Sequence, residues 1–448
     1  MRIQPADRLS GRVRVPGDKS ISHRAAIIAA LTSAGARSRL TNYSASADCA
    51  STLHCLAALG VRIEREGDTV EVEGAGTRMA HAPREPLDCG NSGTTMRLLA
   101  GLLAGQPFAA TLTGDDSLRS RPMKRIIEPL ELMGARVSSA EGRAPLRIEG
   151  RAPLAPIRYA LPVASAQVKS CILLAGLNAR GRTEVVEARG ATRDHTERLL
   201  SLFGADVRTE LKDYEGRLAP VVSLETPASL LLRPPPEGTC NIAGDISSAA
   251  FFLAAAALLP GSDLTLAGVG LNPTRTGILD TLQSLGADVV VTDKRAESGE
   301  ETGELRVRGH AAGLSPATAN AKRLGGELIA NLIDELPILC VLGTQVEGGL
   351  EIRDAAELRV KETDRIGAMV TNLRALGAEV EEYADGLSVG GRTRLRGARL
   401  ESFGDHRIAM ACAVAALISE GESELEGAEA VAVSLPEFFG MLESVIER

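Results

Sequence analysis

Nine residues near the start of the chain, Pro16-Gly17-Asp18-Lys19-Ser20-Ile21-Ser22-His23-Arg24, gather one Lys, one Arg, one His and two Ser behind a Gly. They run into Ala25-Ala26-Ile27-Ile28-Ala29-Ala30-Leu31, a strong helix former without a polar residue. A helix start aims unpaired N–H groups and the positive end of the helix dipole at what lies ahead of it. With Lys19, Ser20 and Arg24 added, the stretch suits a small, multiply charged anion. A capped helix start with solvated charges reads equally well, since Asp18 and Ser20 are good caps.

Four more stretches carry chemistry of the same kind. Asp88-Cys89-Gly90-Asn91-Ser92-Gly93-Thr94-Thr95 is a Gly-rich helix entry that resembles an anion cradle, without the Lys-Ser/Thr ending of a nucleotide-binding loop. Asp115–Met123 places Arg119 and Arg121 before a helix whose first turn tolerates Pro122. In Glu357–Arg365, Lys361 and Arg365 share a face at helical spacing, and Glu362 beside them forms a candidate acid–base pair with Lys361. Gly404-Asp405-His406-Arg407 opens another helix. Each also reads as a plain turn or a solvated face when taken alone.

The elements that position these residues recur. Leu56–Ile63, Leu130–Val137, Leu199–Val207, Leu282–Val289 and Leu373–Val380 each end an amphipathic helix on a Gly and begin a β-branched strand. Their glycines, Gly60, Gly134, Gly204, Gly286 and Gly377, lie 74, 70, 82 and 91 residues apart, the size of an α+β subdomain. Between them fall Ala-rich helices apolar nearly all round, hence buried, entered at Lys19, Asn91, Ser165, Gly244, Asp334 and Gly404. Six such units with a break at Arg233-Pro234-Pro235-Pro236 predict an α/β (α+β) fold of two similar domains with three repeats each. The expected boundaries are residues 1–19 plus 240–448 for one domain and 20–239 for the other.

Composition narrows the partners. The 448 residues carry a formal net charge of -8, with no Trp, four Tyr and seven Phe, so neither a basic field nor stacking platforms for nucleic acid are expected. Met1–Asp7 lacks the apolar stretch of a secretory signal, and runs such as Ala249–Pro260 are too short to span a bilayer. Seven scattered cysteines without a C-x-x-C pair read as reduced thiols, and Cys49, His54 and Cys55 match no zinc spacing. A cytoplasmic protein is expected.

Taken together, the Pro16–Arg24, Gly90–Thr94, Arg121–Met123, Val360–Arg365 and Asp405–Arg407 motifs resemble the signatures of the 5-enolpyruvylshikimate-3-phosphate synthase family, in the family's order and from residue 16 to 439. The resemblance implies two domains of βαβαββ-type units with buried parallel helices and an active site in the interdomain cleft. It implies transfer of the enolpyruvyl group of phosphoenolpyruvate to the 5-hydroxyl of shikimate 3-phosphate, with release of phosphate, on the shikimate pathway to aromatic amino acids. No metal or organic cofactor is implied, and a monomer is expected.

Carried over by position, the shikimate 3-phosphate residues would be Lys19, Ser20, Arg24, Ser165, Ala166, Gln167, Arg193, Asp334 and Lys361. Those for phosphoenolpyruvate would be Lys19, Asn91, Gly93, Thr94, Arg121, Gln167, Glu362, Arg365, His406 and Arg407. Lys19, Asp334 and Glu362 would share the acid–base work. Two departures stand out. Val433-Ser434-Leu435-Pro436 lacks the Lys that many members carry in the C-terminal loop. Ser165–Ser170 is similar to a subgroup often insensitive to glyphosate, while Gly93 is similar to the sensitive form and leaves room for that inhibitor to compete with phosphoenolpyruvate. Two alternatives remain: the enolpyruvyl transferase acting on UDP-N-acetylglucosamine, whose Lys-Asn signature and loop Cys are missing here, and a non-catalytic anion-binding protein.

Overall fold

In the computed structural model, which describes residues 1–79, 81–227 and 229–448, six helices are buried along nearly their whole length. They are α1 (Lys19–Ala30), α2 (Gly93–Ala104), α3 (Ala166–Gly176), α4 (Ile246–Leu258), α5 (Leu336–Gly343) and α6 (His406–Leu417). With no polar face to offer water, each is wrapped by sheet and by an outer helix. The chain forms two units, one of Met1–Pro16, Ala243–Ala296 and Glu301–Arg448, the other of Gly17–Ile242 with Glu297–Glu300.

The repeat is clearest around α2 in unit two. Leu87–Asp88, α2, Ala109–Thr113, the helix Lys124–Leu132, Arg136–Ala140 and Arg143–Glu149 follow one another as βαβαββ. The first two strands pair in parallel, Leu87 opposite Leu112, and the last pairs antiparallel with both neighbours, Ile148 opposite Ala110 and Val137. Arg143–Glu149 alternates exposed and buried along its whole length, the pattern of a sheet with one face on the core. The unit around α3 repeats this order, and the unit around α1 takes its first strand from Thr239–Asn241, where Cys240 lies opposite Leu40.

Unit one mirrors the scheme. Arg8–Arg14 is the first strand ahead of α4, pairing in parallel with Asp263–Gly270, and Arg323–Leu324 is the first strand ahead of α5. The copy around α6 is shorter: Arg399–Glu401 and Ser423–Glu426 are completed by Arg2–Ile3, while Ile446–Glu447 pairs with Arg8–Leu9 instead. α4, α5 and α6 share one apolar core, which Phe438 joins edge-on to Phe251 and Phe252 at ring separations of 6.2 and 5.6 Å. The two-domain, repeated βαβαββ architecture is therefore the observed one.

The five helix-ending glycines adopt the left-handed conformation expected of them, with φ between 89° and 103°. Two local expectations need correction. Lys361 and Glu362 are not helical: a short 3-10 turn, Ala356–Val360, ends there, and the helix starts only at Arg365 because Asp364 accepts a hydrogen bond from Gly367 N and caps it. Pro122 precedes its helix rather than entering the first turn, since Asp115 caps a separate short helix, Asp116–Ser120.

Within unit two, α2 and α3 meet at Gly101, where an added Cβ would lie 2.2 Å from the carbonyl oxygen of Cys171. The obstacle is backbone and cannot turn aside. Gly101→Ala would gain about 1 kcal/mol of helix propensity against an overpacking cost of about 1–3 kcal/mol. A net loss of stability, seen as a lower urea midpoint, is expected; an unchanged or raised midpoint would show that the helices part freely.

Candidate active site

In unit two, α1 starts at Lys19 because Asp18 Oδ1 accepts from Ile21 N at 2.9 Å. Lys19 Nζ is 2.8 Å from Asp48 Oδ2, and Asp48 sits in the first turn of the helix Ala47–Ala58. Arg24, one turn along, is buried: Nη1 donates to the Ser20 carbonyl at 2.8 Å, Nε to Thr196 Oγ1 at 2.8 Å and Nη2 to Ser170 Oγ at 3.0 Å. Its guanidinium is thereby oriented from two other helices, those carrying Ser170 and Thr196.

Ser92 caps α2 and Ser165 caps α3, each accepting from the N–H three residues on. Asn91 Oδ1 accepts from Arg121 Nη2 at 2.7 Å, and Asn91 Nδ2 donates to Asp115 at 2.7 Å. Gln167 Nε2 donates to Thr94 Oγ1 at 2.9 Å, and its carbonyl oxygen accepts from Arg97 at 2.5 Å. Asn91, Gly93, Thr94, Arg121 and Gln167 are thus drawn together, and Arg97 joins them. A Cβ on Gly93 would lie 2.7 Å from Arg97 Nη1 and 3.4 Å from Arg121 Nη1, so a side chain there would push at least the Arg97 guanidinium aside. Ala166 is the first residue of α3, and Arg193 lies half-buried just before the helix His195–Leu202.

In unit one, Arg365 is fully buried. Its Nε donates to Asp405 Oδ2 at 2.7 Å, Nη2 to Glu362 Oε2 at 2.6 Å, and Nη1 is 3.7 Å from Asp334. Burial opposes the charge, but Asp405, Glu362 and Asp334 outweigh it and hold the guanidinium pKa above its ordinary value. Arg407 Nη1 is 3.0 Å from the same Asp334 oxygen, so that carboxylate stands between two cations. Asp405 has a second duty, accepting from Arg407 N and Ile408 N to cap α6, with His406 buried in the first turn. Lys361 lies apart from this cluster's bonds, 3.5 Å from Glu357. Val433 ends a 3-10 turn, Ala428–Val433, whose one charged residue is Glu429, so the turn supplies no cation.

Asp48 and Arg97 escaped the motif reading. Arg97 had a signal, a lone cation four residues into an apolar helix; Asp48 had only its place in a first turn. Among the described residues no group of three His, Cys, Asp or Glu is arranged to hold a metal, and no helix is long and apolar enough to cross a membrane.

His23 Nδ1 is 2.6 Å from Thr52 Oγ1, which continues to Thr95 Oγ1 at 2.7 Å and on to Ser92 Oγ at 2.8 Å. Burial, then Lys19 and Arg24, hold its pKa well below the usual 6.5. The unfolded chain therefore gains a proton that the native one refuses as pH falls below about 6.5, and stability drops by up to about 1.4 kcal/mol per pH unit. His23→Gln should flatten that dependence in urea titrations between pH 7 and 5; identical slopes would remove His23 as its source.

A family model described as "EPSP synthase (3-phosphoshikimate 1-carboxyvinyltransferase)" matches residues 3–442. Curated proteins of the latter name are similar over nearly the whole chain. One from Koribacter versatilis is 48% identical, covering 100% of this chain and 99% of that protein; one from Geobacillus kaustophilus is 50% identical, covering 98% of each. A solved EPSP synthase from Acinetobacter baumannii superposes with a TM-score of 0.82 at 38% identity, covering 99% of this chain and 98% of that one. The enolpyruvyl transferase NikO from Streptomyces tendae shares the fold, with a TM-score of 0.75 at 20% identity over 99% and 96% of the two chains.

Proposed function

The chain belongs to the EPSP synthase (3-phosphoshikimate 1-carboxyvinyltransferase) family and transfers the enolpyruvyl group of phosphoenolpyruvate to shikimate 3-phosphate, and we propose that Asp334, Lys19 and Glu362 do the proton work. The observation that carries this reading is the place of the Asp334 carboxylate, 3.0 Å from Arg407 and 3.7 Å from Arg365, in the same buried cluster as Glu362.

Asp334 takes the proton of the attacking 5-hydroxyl. Lys19 or Glu362 delivers one to the methylene carbon of phosphoenolpyruvate, and the hydroxyl oxygen bonds to its C2. In the tetrahedral intermediate so formed, the C–O bond to phosphate breaks while the group that protonated the methylene carbon takes a proton back from the new methyl group, restoring the double bond. Cationic groups stabilise the leaving phosphate. Arg121, Arg365 and Arg407, with Asn91, Gly93, Thr94, Gln167, Glu362 and His406, are assigned to phosphoenolpyruvate. Ser20, Arg24, Ser165, Ala166, Gln167, Arg193, Asp334 and Lys361 are assigned to shikimate 3-phosphate, and Lys19 to both. The buried cluster around Arg365 and the Asn91–Arg121 and Thr94–Gln167 bonds support these groupings. Seven free, buried thiols support a reducing, cytoplasmic setting. A monomer is part of the same proposal.

Phosphate release from phosphoenolpyruvate is expected with shikimate 3-phosphate and not with UDP-N-acetylglucosamine or with neither acceptor. Glu362→Gln should lower kcat by about 100-fold or more, the scale of acid–base assistance, a far larger effect than on either substrate affinity. An unchanged rate would take Glu362 out of the mechanism.

Glyphosate, an anion carrying phosphonate and carboxylate groups, should compete with phosphoenolpyruvate where Gly93 leaves space before Arg97 and Arg121. Inhibition kinetics should show competition that weakens in Gly93→Ala; an absence of competition in the unmodified protein would overturn this.

A further inference from the structure

Lys169 lies on α3 immediately before Ser170, and its side chain is fully buried. Its Nζ is 2.6 Å from Glu197 Oε1 and 2.9 Å from Glu187 Oε1, and it donates to the Thr192 carbonyl at 3.5 Å. The ammonium thus donates to Glu187 and the Thr192 carbonyl and makes a close ion pair with Glu197. Burial works against the charge, and the Glu197 and Glu187 carboxylates outweigh it, keeping the pKa above the ordinary lysine value.

An ion cluster of this kind is a poor source of stability, because an apolar side chain would fill the flank of α3 at lower desolvation cost. What it does secure is geometry. Glu187 Oε1 accepts from Thr192 N at 2.9 Å and from the Thr192 hydroxyl, so one carboxylate oxygen closes the Glu187–Thr192 loop. Arg193 is the next residue. Glu197 stands on the helix His195–Leu202 beside Thr196, whose Oγ1 is 2.6 Å from Ser170 Oγ. Those two hydroxyls are the ones that accept from Arg24 Nε and Nη2. Lys169 therefore ties both ends of the segment 187–197 to α3, with Arg193 between them and Thr196, which holds Arg24, beside Glu197.

We propose that Lys169, acting through Glu187 and Glu197, is a positioning residue for acceptor-substrate binding: it sets Arg193 through Thr192 and Arg24 through the Ser170–Thr196 pair. The inference rests on the assignment of Arg24 and Arg193 to shikimate 3-phosphate. It gives a role to a cation buried inside an apolar helix.

The test uses the full chain with shikimate 3-phosphate and phosphoenolpyruvate as titrants. Lys169→Met combined with Glu187→Gln should raise KM and the calorimetric Kd for shikimate 3-phosphate about tenfold, the scale of one charge-assisted hydrogen bond. KM for phosphoenolpyruvate and kcat at saturation should stay within about threefold, a split that general loss of structure would not produce. Thr192→Val, which removes one hydroxyl donor, should shift shikimate 3-phosphate affinity in the same direction by less. A Kd within twofold of the unmodified protein in the folded double variant would overturn the proposal, as would equal rises in both KM values. If the double variant does not fold, Thr192→Val decides by the same criteria. Arg24→Met and Arg193→Met separate the layers: if both leave shikimate 3-phosphate affinity unchanged, the site assignment fails instead.

Discussion

A helix without a polar face meets water only at its ends, and this constraint organises the molecule. α1 to α6 are sheathed by sheets and outer helices, so their polar residues collect at the N-terminal entrances. Asp18, Ser92, Ser165, Asp245 and Asp405 cap five of them, and Glu335 with Pro337 opens the sixth. Capping leaves some terminal N–H groups and the helix dipole facing outward, which favours anions there. Each of the two substrates carries a phosphate and a carboxylate, the kind of charge a helix entrance favours.

The same constraint explains the buried ion clusters. Side chains rooted at these entrances can be held only by neighbours that are themselves buried, and a buried cation needs carboxylates. Arg365 with Asp405, Glu362 and Asp334, and Lys169 with Glu187 and Glu197, solve this alike, each with more carboxylates than cations in direct contact with the central charge. Removing one partner from such a group leaves an uncompensated charge. Positional accuracy is the return: Asp334 and Arg407 at the first cluster, and Arg24 and Arg193 around the second, are fixed without using their own flexibility.

The motif residues were legible because they sit within a few positions of a helix start and share short, ordered signatures. Less legible were residues whose role depends on a partner distant in the chain. Asp48 joins Lys19 across 29 residues, and Arg24 reaches Thr196 across 172. Arg365 meets Asp405 across 40. The charged run 361–365 misled for the opposite reason, since helical spacing looked plausible until Asp364 took the capping position and displaced Lys361 and Glu362 from the helix.

By itself the sequence determined the repeat, the buried helices, the glycine-ended outer helices and the family to which the chain belongs. Those are local properties: period, apolar run, cap and turn residue act within one element. Tertiary structure alone decided which carboxylate faces which cation, that Thr239–Asn241 and Arg8–Arg14 supply first strands to repeats, and that Glu297–Glu300 groups with Gly17–Ile242. It also decided that Lys169, the lone charged residue of an otherwise uncharged helix, is buried against Glu187 and Glu197. Burial and pairing are properties of surroundings, and surroundings exist only once distant segments have packed.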